Sequence, residues 1–257
     1  MIQEKGVVRQ VERYRPTIFS LVLELPQIAE LAKPGQFVHL KVDGAGILLR
    51  RPFSIAGAGD GLISLIIQIV GKGTELLSNL QTGQICDVIG PLGKGFTYQN
   101  ADAVVLVGGG IGVVPLLMLQ DELVKQGKKV PFFLGGQSHE KFPLPDAVIP
   151  ERNISYCTDD GSFGIKGLVT DLLEKHLGEN PSEIHTVYTC GPVPMMRKTD
   201  ELCAHNSILY QVSLESRMAC GIGVCQGCAQ SVGGGYKLVC TDGPVFNGAD
   251  VDWDLIT

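Results

Sequence analysis

Cys220-Gly221-Ile222-Gly223-Val224-Cys225-Gln226-Gly227-Cys228 is the stretch around which the chain is organised, and Cys240 completes it. The spacing is C-x4-C-x2-C, followed by a fourth cysteine after eleven intervening residues. Four thiolates at this spacing are the ligand set of a plant-type [2Fe–2S] cluster. Three glycines lie among the first three cysteines. Glycine reaches φ > 0 and lets backbone N–H groups approach sulfur with no Cβ in the way, which spreads the thiolate charge. Structural zinc is the competing reading. Zinc sites usually come as two short C-x2-C knuckles, and here only Cys225 and Cys228 form one. Disulfides or idle thiols are the third reading.

Working outward, 257 residues predict two or three domains. Hydrophobic residues make up 44%, enough for real cores, and 33 glycines point to many tight turns or cofactor loops. The net charge of −6 carries no basic block, so nucleic-acid binding is not expected. The start, Met1 to Gly6, lacks a basic-then-apolar leader pattern, and runs such as Ile63 to Val70 are too short to span a bilayer. Cys86, Cys157, Cys190 and Cys203 are scattered, unlike a disulfide framework. A cytoplasmic protein without membrane contact is expected.

The first hundred residues read as short strands: Gly6 to Val11, Ile18 to Leu25, Phe37 to Val42, Phe53 to Ile55, Leu62 to Val70 and Ile85 to Ile89. Turn signals such as Lys33-Pro34-Gly35-Gln36 and Gly59-Asp60-Gly61 separate them. This pattern predicts a small antiparallel barrel over residues 1–100, with a short helix from Thr74 to Leu80. Two stretches in it are chemical candidates. In Arg50-Arg51-Pro52-Phe53-Ser54-Ile55, Arg51 offers a planar fork for phosphate, Phe53 a flat apolar face and Ser54 a hydroxyl. Gly71-Lys72-Gly73-Thr74 opens the helix and suits a pyrophosphate. Taken alone, the first is more often just an Arg-Pro turn and the second is often only a helix cap.

From Ala101 the pattern changes to strand–helix alternation, which predicts a parallel α/β sheet over residues 101–214. Ala103 to Val107 is a continuous apolar run, as for a strand buried on both faces. Gly108-Gly109-Gly110-Ile111-Gly112 follows, then a helix from Val113 to Lys125 in which Pro115 fits only the first turn. Further strands are expected at Val130 to Leu134, Ile154 to Thr158, Thr186 to Thr189 and Ile208 to Val212, and helices at Leu168 to Leu177 and Pro194 to His205. Ligands of such sheets bind beyond the carboxyl ends of the strands. The glycine run is placed for a nucleotide, yet Pro115 stands where the third glycine of a standard Rossmann fingerprint would be. No acidic residue ends the second strand to hold a ribose. Cys190-Gly191-Pro192 also ends a strand; its thiol either faces a nicotinamide or is simply a small buried residue. Residues 215–257 form the cysteine module.

The order of barrel, nucleotide domain and cysteine loop resembles the ferredoxin reductase family with an appended [2Fe–2S] module. Arg51-Pro52-Phe53-Ser54 resembles the family's R-x-[YF]-S flavin motif, and Gly73-Thr74 its flavin pyrophosphate turn. Gly108 to Gly112 with Val113-Val114-Pro115 resembles its G-G-G-x-G-x-x-P motif, and Cys190 to Met195 its C-G-P-x-x-M segment. Leu49 to Ile55, Gly90 to Phe96, Ser213 to Gly223 and Cys240 to Phe246 make the chain most similar to the electron-transfer subunits of NAD-dependent, two-subunit (type B) dihydroorotate dehydrogenases. The resemblance covers nearly the whole chain.

The resemblance implies one FAD in the barrel, held by Arg51, Pro52, Phe53 and Ser54, lined by the backbone of Gln68, Ile69 and Val70, with Gly73 and Thr74 completing the phosphate site. It implies NAD against Gly108, Gly109, Gly110, Gly112 and Cys190 to Pro192, with Gly191 between, and a [2Fe–2S] cluster on Cys220, Cys225, Cys228 and Cys240. No catalytic residue for the organic substrate is expected in this chain. An FMN-containing catalytic subunit would oxidise dihydroorotate in pyrimidine biosynthesis, in a heterotetramer of two of each subunit, with electrons leaving through cluster and FAD to NAD+. NAD rather than NADP is expected, because no arginine follows Leu134 to clamp a 2′-phosphate, although Lys141 is near. Two other readings compete. One is a reductase subunit for another partner: an oxygenase, a sulfide dehydrogenase or a ferredoxin-dependent transhydrogenase. The other is a non-enzymatic zinc-binding module.

Overall fold

The computed structural model describes residues 1–44, 46–145, 151–180 and 183–256. The alternating residues of the first hundred positions build seven strands. These are β1 (Ile2–Arg15), β2 (Ile18–Glu24), β3 (Phe37–Leu40), β4 (Arg51–Ser54), β5 (Gly57–Gly59), β6 (Leu62–Gln68) and β7 (Ile85–Leu92). They pair antiparallel in the order β4-β3-β7-β1-β2-β6-β5. The sheet curls into a half-barrel around Phe19, Leu21, Leu40, Ile63 and Val88, all fully buried. Helix α1 (Pro26–Leu31) closes one end, with its proline in the first turn and Ile28 in the core. Six residues are too few for a helical period to be read from sequence, so α1 is absent from the expected elements. Helix α2 spans Lys72–Ser78 and begins two residues before the expected Thr74.

The second sheet is formed by β8 (Val104–Gly109), β9 (Phe132–Gly136), β10 (Ile154–Thr158), β11 (Ile165–Lys166), β12 (Thr186–Cys190) and β13 (Leu209–Ser213). All of these pair parallel, in the order β11-β10-β9-β8-β12-β13. Helices cover both faces. Val104 and Leu106 of β8 face the core under α3 (Val114–Lys125), with Leu116, Leu119 and Leu123. Val105 and Val107 face the opposite core, under α4 (Val169–Glu179) and α5 (Val193–His205), with Leu173, Leu177 and Met196. The uninterrupted apolar run of β8 is therefore what a strand buried on both faces requires.

The C-terminal region continues both bodies. Strands β14 (Ala229–Val232) and β15 (Gly235–Leu238) form a hairpin. Its turn, Gly233-Gly234, has φ of 64° and 74°, the left-handed pair that a two-residue hairpin turn demands. Strand β16 (Val245–Asn247) then adds antiparallel to β13 at the edge of the second sheet. Phe37 and Leu92 from the half-barrel pack into one core with Cys228, Val232, Val239 and Cys240. The backbone of Lys94 donates to Gly243 at 2.5 Å and stitches the same joint. No helix among the described residues is long and apolar enough to cross a membrane.

Candidate functional site

The cysteine loop is built by the hairpin. Ala229 pairs with Leu238, and Val239 N–H donates to the Cys228 carbonyl at 3.1 Å, so the chain returns Cys240 to the side of Cys228. The eleven-residue gap is thus the length of one hairpin. On the other side, Cys220 Sγ accepts the backbone N–H groups of Ile222 and Cys225, each at 3.4 Å. Burial resists ionisation of the Cys220 thiol, but these N–H groups, the Cys225 side chain and the Val224 N–H outweigh it and bring the thiol down to about 6. Burial pushes Cys240 the other way, to about 11, with the facing Cys228 thiol adding to it.

Cys225 lies against Cys220 and Cys228 against Cys240, and Cys220 is near enough to act on Cys240 as well, so the four thiols belong to one loop site. Among the described residues, no three His, Cys, Asp or Glu side chains converge as a single ion would need. Four cysteine thiols on one glycine-rich loop are the donor set that a [2Fe–2S] cluster would take. Cys228 and Cys240 are buried, Cys220 is half-buried and Cys225 is exposed, so one edge of the loop faces solvent beside the exposed Ile222 and Val224.

The flavin candidates come together on the half-barrel. Arg51 opens β4, and a Cβ on Gly73 would lie 3.3 Å from Arg51 Nε, so arginine and glycine turn share one pocket. Arg51 Nη1 donates only to the carbonyls of Leu49 (2.8 Å) and Arg50 (3.2 Å) and has no carboxylate partner among the described residues. Its fork is left for an anion. Arg50 has a different task and clamps Asp87. The Thr74 hydroxyl is spent on the chain itself: it accepts from Val70 N at 2.9 Å and Gly71 N at 3.3 Å and donates to the Gly71 carbonyl. The N–H of Ile69 donates to Thr17 and that of Val70 to Thr74. At those two positions a flavin would meet carbonyls and side chains. The α2 ladder begins with Glu75 donating to Gly71, which puts the N–H groups of Lys72, Gly73 and Thr74 ahead of the first intrahelical bond.

The nucleotide candidates meet at the switch point of the second sheet. From β8 the chain runs outward to β9 and β10, then returns to place β12 and β13 on the other side, so the carboxyl ends of β8 and β12 diverge into a crevice. Its volume is about 650 Å³, lined by Gly109 to Gly112, Gly191, Pro192 and Met195. The walls are in backbone contact: a Cβ on Gly112 would lie 2.6 Å from Gly191 Cα. Gly108 pairs with Cys190 in the sheet beneath the floor. The Cys190 side chain is buried in the core, and burial, with the nearby Glu215 charge, holds its thiol well above the ordinary range. It stays a neutral core thiol. Gln68 of β6 lines the same crevice, so nucleotide and flavin sites adjoin.

Sequence reasoning missed several lining residues: Gln137, Asp159, Lys198 and Glu215. Glu215 retains water-accessible surface, yet it lies within the crevice, and the hydration lost there raises its carboxyl. Its position just past β13 is a signal, because residues beyond the carboxyl ends of parallel strands line such sites. Lys141 reaches the crevice and bonds Gln137 Oε1 at 2.8 Å. A groove of about 710 Å³ opens at the other end of the sheet, where Arg152 is engaged by Asp121 and none of the motifs lies.

Two family models match the chain: the oxidoreductase FAD-binding domain over residues 7–98, and the iron-sulfur cluster binding domain of dihydroorotate dehydrogenase B over residues 215–252. The electron transfer subunit of dihydroorotate dehydrogenase B (NAD(+)) from Bacillus caldolyticus is 41% identical over 242 residues, 91% of this chain and 92% of that protein. This chain belongs to that family. The electron transfer subunit from Enterococcus faecalis is 37% identical, over 97% of this chain and 98% of its own. A solved structure described as "Insights into flavin-based electron bifurcation via the NADH-dependent reduced ferredoxin-NADP oxidoreductase structure" superposes with a TM-score of 0.86 at 30% identity, covering 97% of this chain and 90% of that one. The chain thus has the ferredoxin-reductase-like fold: an FAD-binding half-barrel, a parallel-sheet NAD domain and a C-terminal iron–sulfur domain. As a member of the dihydroorotate dehydrogenase B family it is an oxidoreductase component.

Proposed function

We propose that this chain receives electrons from a catalytic dihydroorotate dehydrogenase subunit carrying FMN and delivers them to NAD+ in pyrimidine biosynthesis. The observation that carries the reading is contiguity. Gln68 of the flavin barrel lines the nucleotide crevice, and Phe37 and Leu92 of the same barrel pack against Cys228 and Cys240. One barrel therefore touches both the cysteine loop and the nucleotide site. A cluster handles single electrons and NAD+ takes two at once, so the flavin between them supplies the conversion.

In this reading Arg51, with Pro52, Phe53 and Ser54 along β4, binds and orients FAD, and Gly73 lets its pyrophosphate approach Arg51. Gly109, Gly110 and Gly112 bind NAD against Gly191 and Pro192, where the mutual contact of the two walls excludes water. Cys220, Cys225, Cys228 and Cys240 hold the cluster, and the N–H groups of Ile222 and Cys225 spread charge from Cys220. Residues 1–100, 101–214 and 215–257 serve as the flavin, nucleotide and cluster domains, with β16 tying the third to the second. The exposed edge with Cys225, Ile222 and Val224 faces the catalytic subunit, in a cytoplasmic heterotetramer of two of each.

A visible spectrum of the anaerobically purified chain, before and after NADH, tests the reading. Flavin and iron–sulfur bands that both bleach are expected, as is electron flow from dihydroorotate once the FMN subunit is added. A colourless protein with one zinc per chain, after full cofactor supply, would sink it.

A further inference from the structure

The turn between β1 and β2 is a point where the flavin half-barrel reaches the nucleotide domain. The two strands meet at Arg15 and Ile18, with Pro16-Thr17 as the two-residue turn between them. The same turn is tied to the strand that joins flavin and nucleotide sites. Ile18 pairs with Gln68, and the N–H of Ile69 donates to the Thr17 carbonyl at 2.7 Å. Gln68 lines the nucleotide crevice, and Ile69 follows it in the stretch read as lining the flavin.

From this turn two side chains cross to the other domain. The Tyr14 hydroxyl donates to the Pro143 carbonyl at 3.0 Å. Arg15 Nη2 donates to the Leu144 carbonyl at 3.4 Å and lies 3.5 Å from His139 Nε2. Burial holds the Tyr14 phenol well above its ordinary range, so the hydroxyl keeps the proton it donates. The segment they grip is one compact unit. His139–Lys141 is a single 3-10 turn, in which Lys141 N–H donates to the Ser138 carbonyl at 3.2 Å and Phe142 N–H to the His139 carbonyl at 3.1 Å. Phe142 is fully buried and anchors the unit through edge contacts with Tyr156 and Phe163. Two residues before Pro143, Lys141 lines the crevice and bonds Gln137, so these two side chains make one wall of it. Whatever holds Pro143 therefore holds that wall.

We propose that Tyr14, supported by Arg15, is a positioning residue for the nucleotide: it straps the wall made by Gln137 and Lys141 to the flavin barrel, so that the crevice is preorganised for NAD(H) in fixed register with the flavin strands. A preorganised wall spares the ordering cost of binding, so the strap acts on affinity for the nucleotide. The inference rests on the reading that NAD occupies this crevice and FAD the barrel.

The test uses the full chain purified anaerobically with its cofactors. Reduction of the FAD is followed by stopped flow over a range of NADH concentrations in wild type and Tyr14→Phe, which keeps the ring and removes only the hydroxyl. The half-saturating NADH concentration is expected to rise about fivefold, the scale of one lost hydrogen bond. The limiting rate, the FAD content and reduction by dithionite are expected to stay within about twofold of wild type. A hydroxyl with a merely structural role would lower the melting temperature and leave half-saturation in place. A rise of less than about threefold, or a fall in the limiting rate that matches the rise, overturns the proposal. Should Tyr14→Phe fail to hold FAD, hydrogen exchange of the wild-type chain decides. Slower exchange on adding NAD+ at both 14–17 and 139–144 supports the strap, and protection at only one of them or at neither overturns it. A wild-type chain whose FAD is not reduced by NADH sinks the nucleotide reading itself, and the role of Tyr14 with it.

Discussion

Arg50 Nη2 lies 2.9 Å from Asp87 Oδ1, and Arg50 Nη1 donates to the Asp87 carbonyl at 2.8 Å, so one side chain ties the segment leading into β4 to β7. The pair is mostly buried, with side-chain exposures of 18% and 23%. Neighbouring arginines in one motif are thus divided between a structural clamp and an unpaired fork.

The clamp sets the first expectation. Arg50→Ala should cost about 2 kcal/mol in urea unfolding, since charge-assisted hydrogen bonds are lost from a largely buried site. Acid should act through Asp87. Burial works to raise its carboxyl, but hydrogen bonds from Gln3 and Arg50 and the charges of Arg50 and Lys41 together hold it below the usual range. A lowered folded value means the stabilisation is present above the unfolded carboxylate pKa, about 3.9, and is lost as pH falls through the folded value. Stability of Asp87→Asn should therefore fall less steeply below about pH 4 than wild type. Parallel curves would show that the pair contributes nothing.

Arg51 should behave in the opposite way. Among the described residues its guanidinium holds only two local carbonyls, so Arg51→Ala should leave the stability of the flavin-free chain within about 0.5 kcal/mol. It should weaken FAD binding tenfold or more, because a charge-assisted fork to the pyrophosphate is gone. Flavin per chain after gel filtration, with fluorescence titration of the apoprotein, checks both halves. Full flavin retention would move the phosphate site elsewhere.

These two arginines also mark how far the sequence could be read. The alternation of the half-barrel, the buried run of β8 and the cysteine spacing are local patterns, and local patterns survive in a linear string. Which arginine of the pair is free depends on Asp87, a partner on another strand. Tyr14 looks bland in sequence because its meaning lies in the contact with Pro143, far along the chain. The eleven-residue gap to Cys240 finds its meaning only in the fold, where a hairpin turning at Gly233-Gly234 closes on Cys228. Cys190 illustrates the converse: its motif is plain in the sequence, while its burial at the end of β12 and its raised thiol show only in the fold.

Gly112 tests the nucleotide crevice. In Gly112→Ala the new Cβ would meet three consecutive backbone atoms of the facing wall, Gly191 Cα at 2.6 Å, Gly191 N at 2.7 Å and the Cys190 carbonyl carbon at 2.8 Å. Backbone cannot swing away as a side-chain tip can. The two walls must part, at a cost of about 1–3 kcal/mol. Reduction of the flavin by NADH should slow tenfold or more, while reduction by dithionite stays unchanged. Stopped-flow traces with both reductants separate damage to the crevice from damage to the flavin. Equal slowing with each would place the effect in the barrel.

The two cysteine pairs predict unequal costs for the same chemical change. Cys225 is exposed at the loop edge, so Cys225→Ser removes a ligand and little packing. The chain should fold with near-normal stability, lose the iron–sulfur bands and still reduce its FAD with NADH, because nucleotide crevice and flavin pocket adjoin through Gln68. Transfer from the catalytic subunit should disappear. Cys240 lies in the core with Phe37, Leu92 and Val239, so Cys240→Ser also buries a hydroxyl among apolar groups, at about 1–3 kcal/mol. Thermal melts of the two metal-free variants should differ accordingly, with Cys240→Ser the lower. Identical melts would mean that the core around Cys240 does not brace the loop. Loss of NADH-driven flavin reduction in a well-folded Cys225→Ser chain would mean that the cluster and the nucleotide site do not work as separate modules.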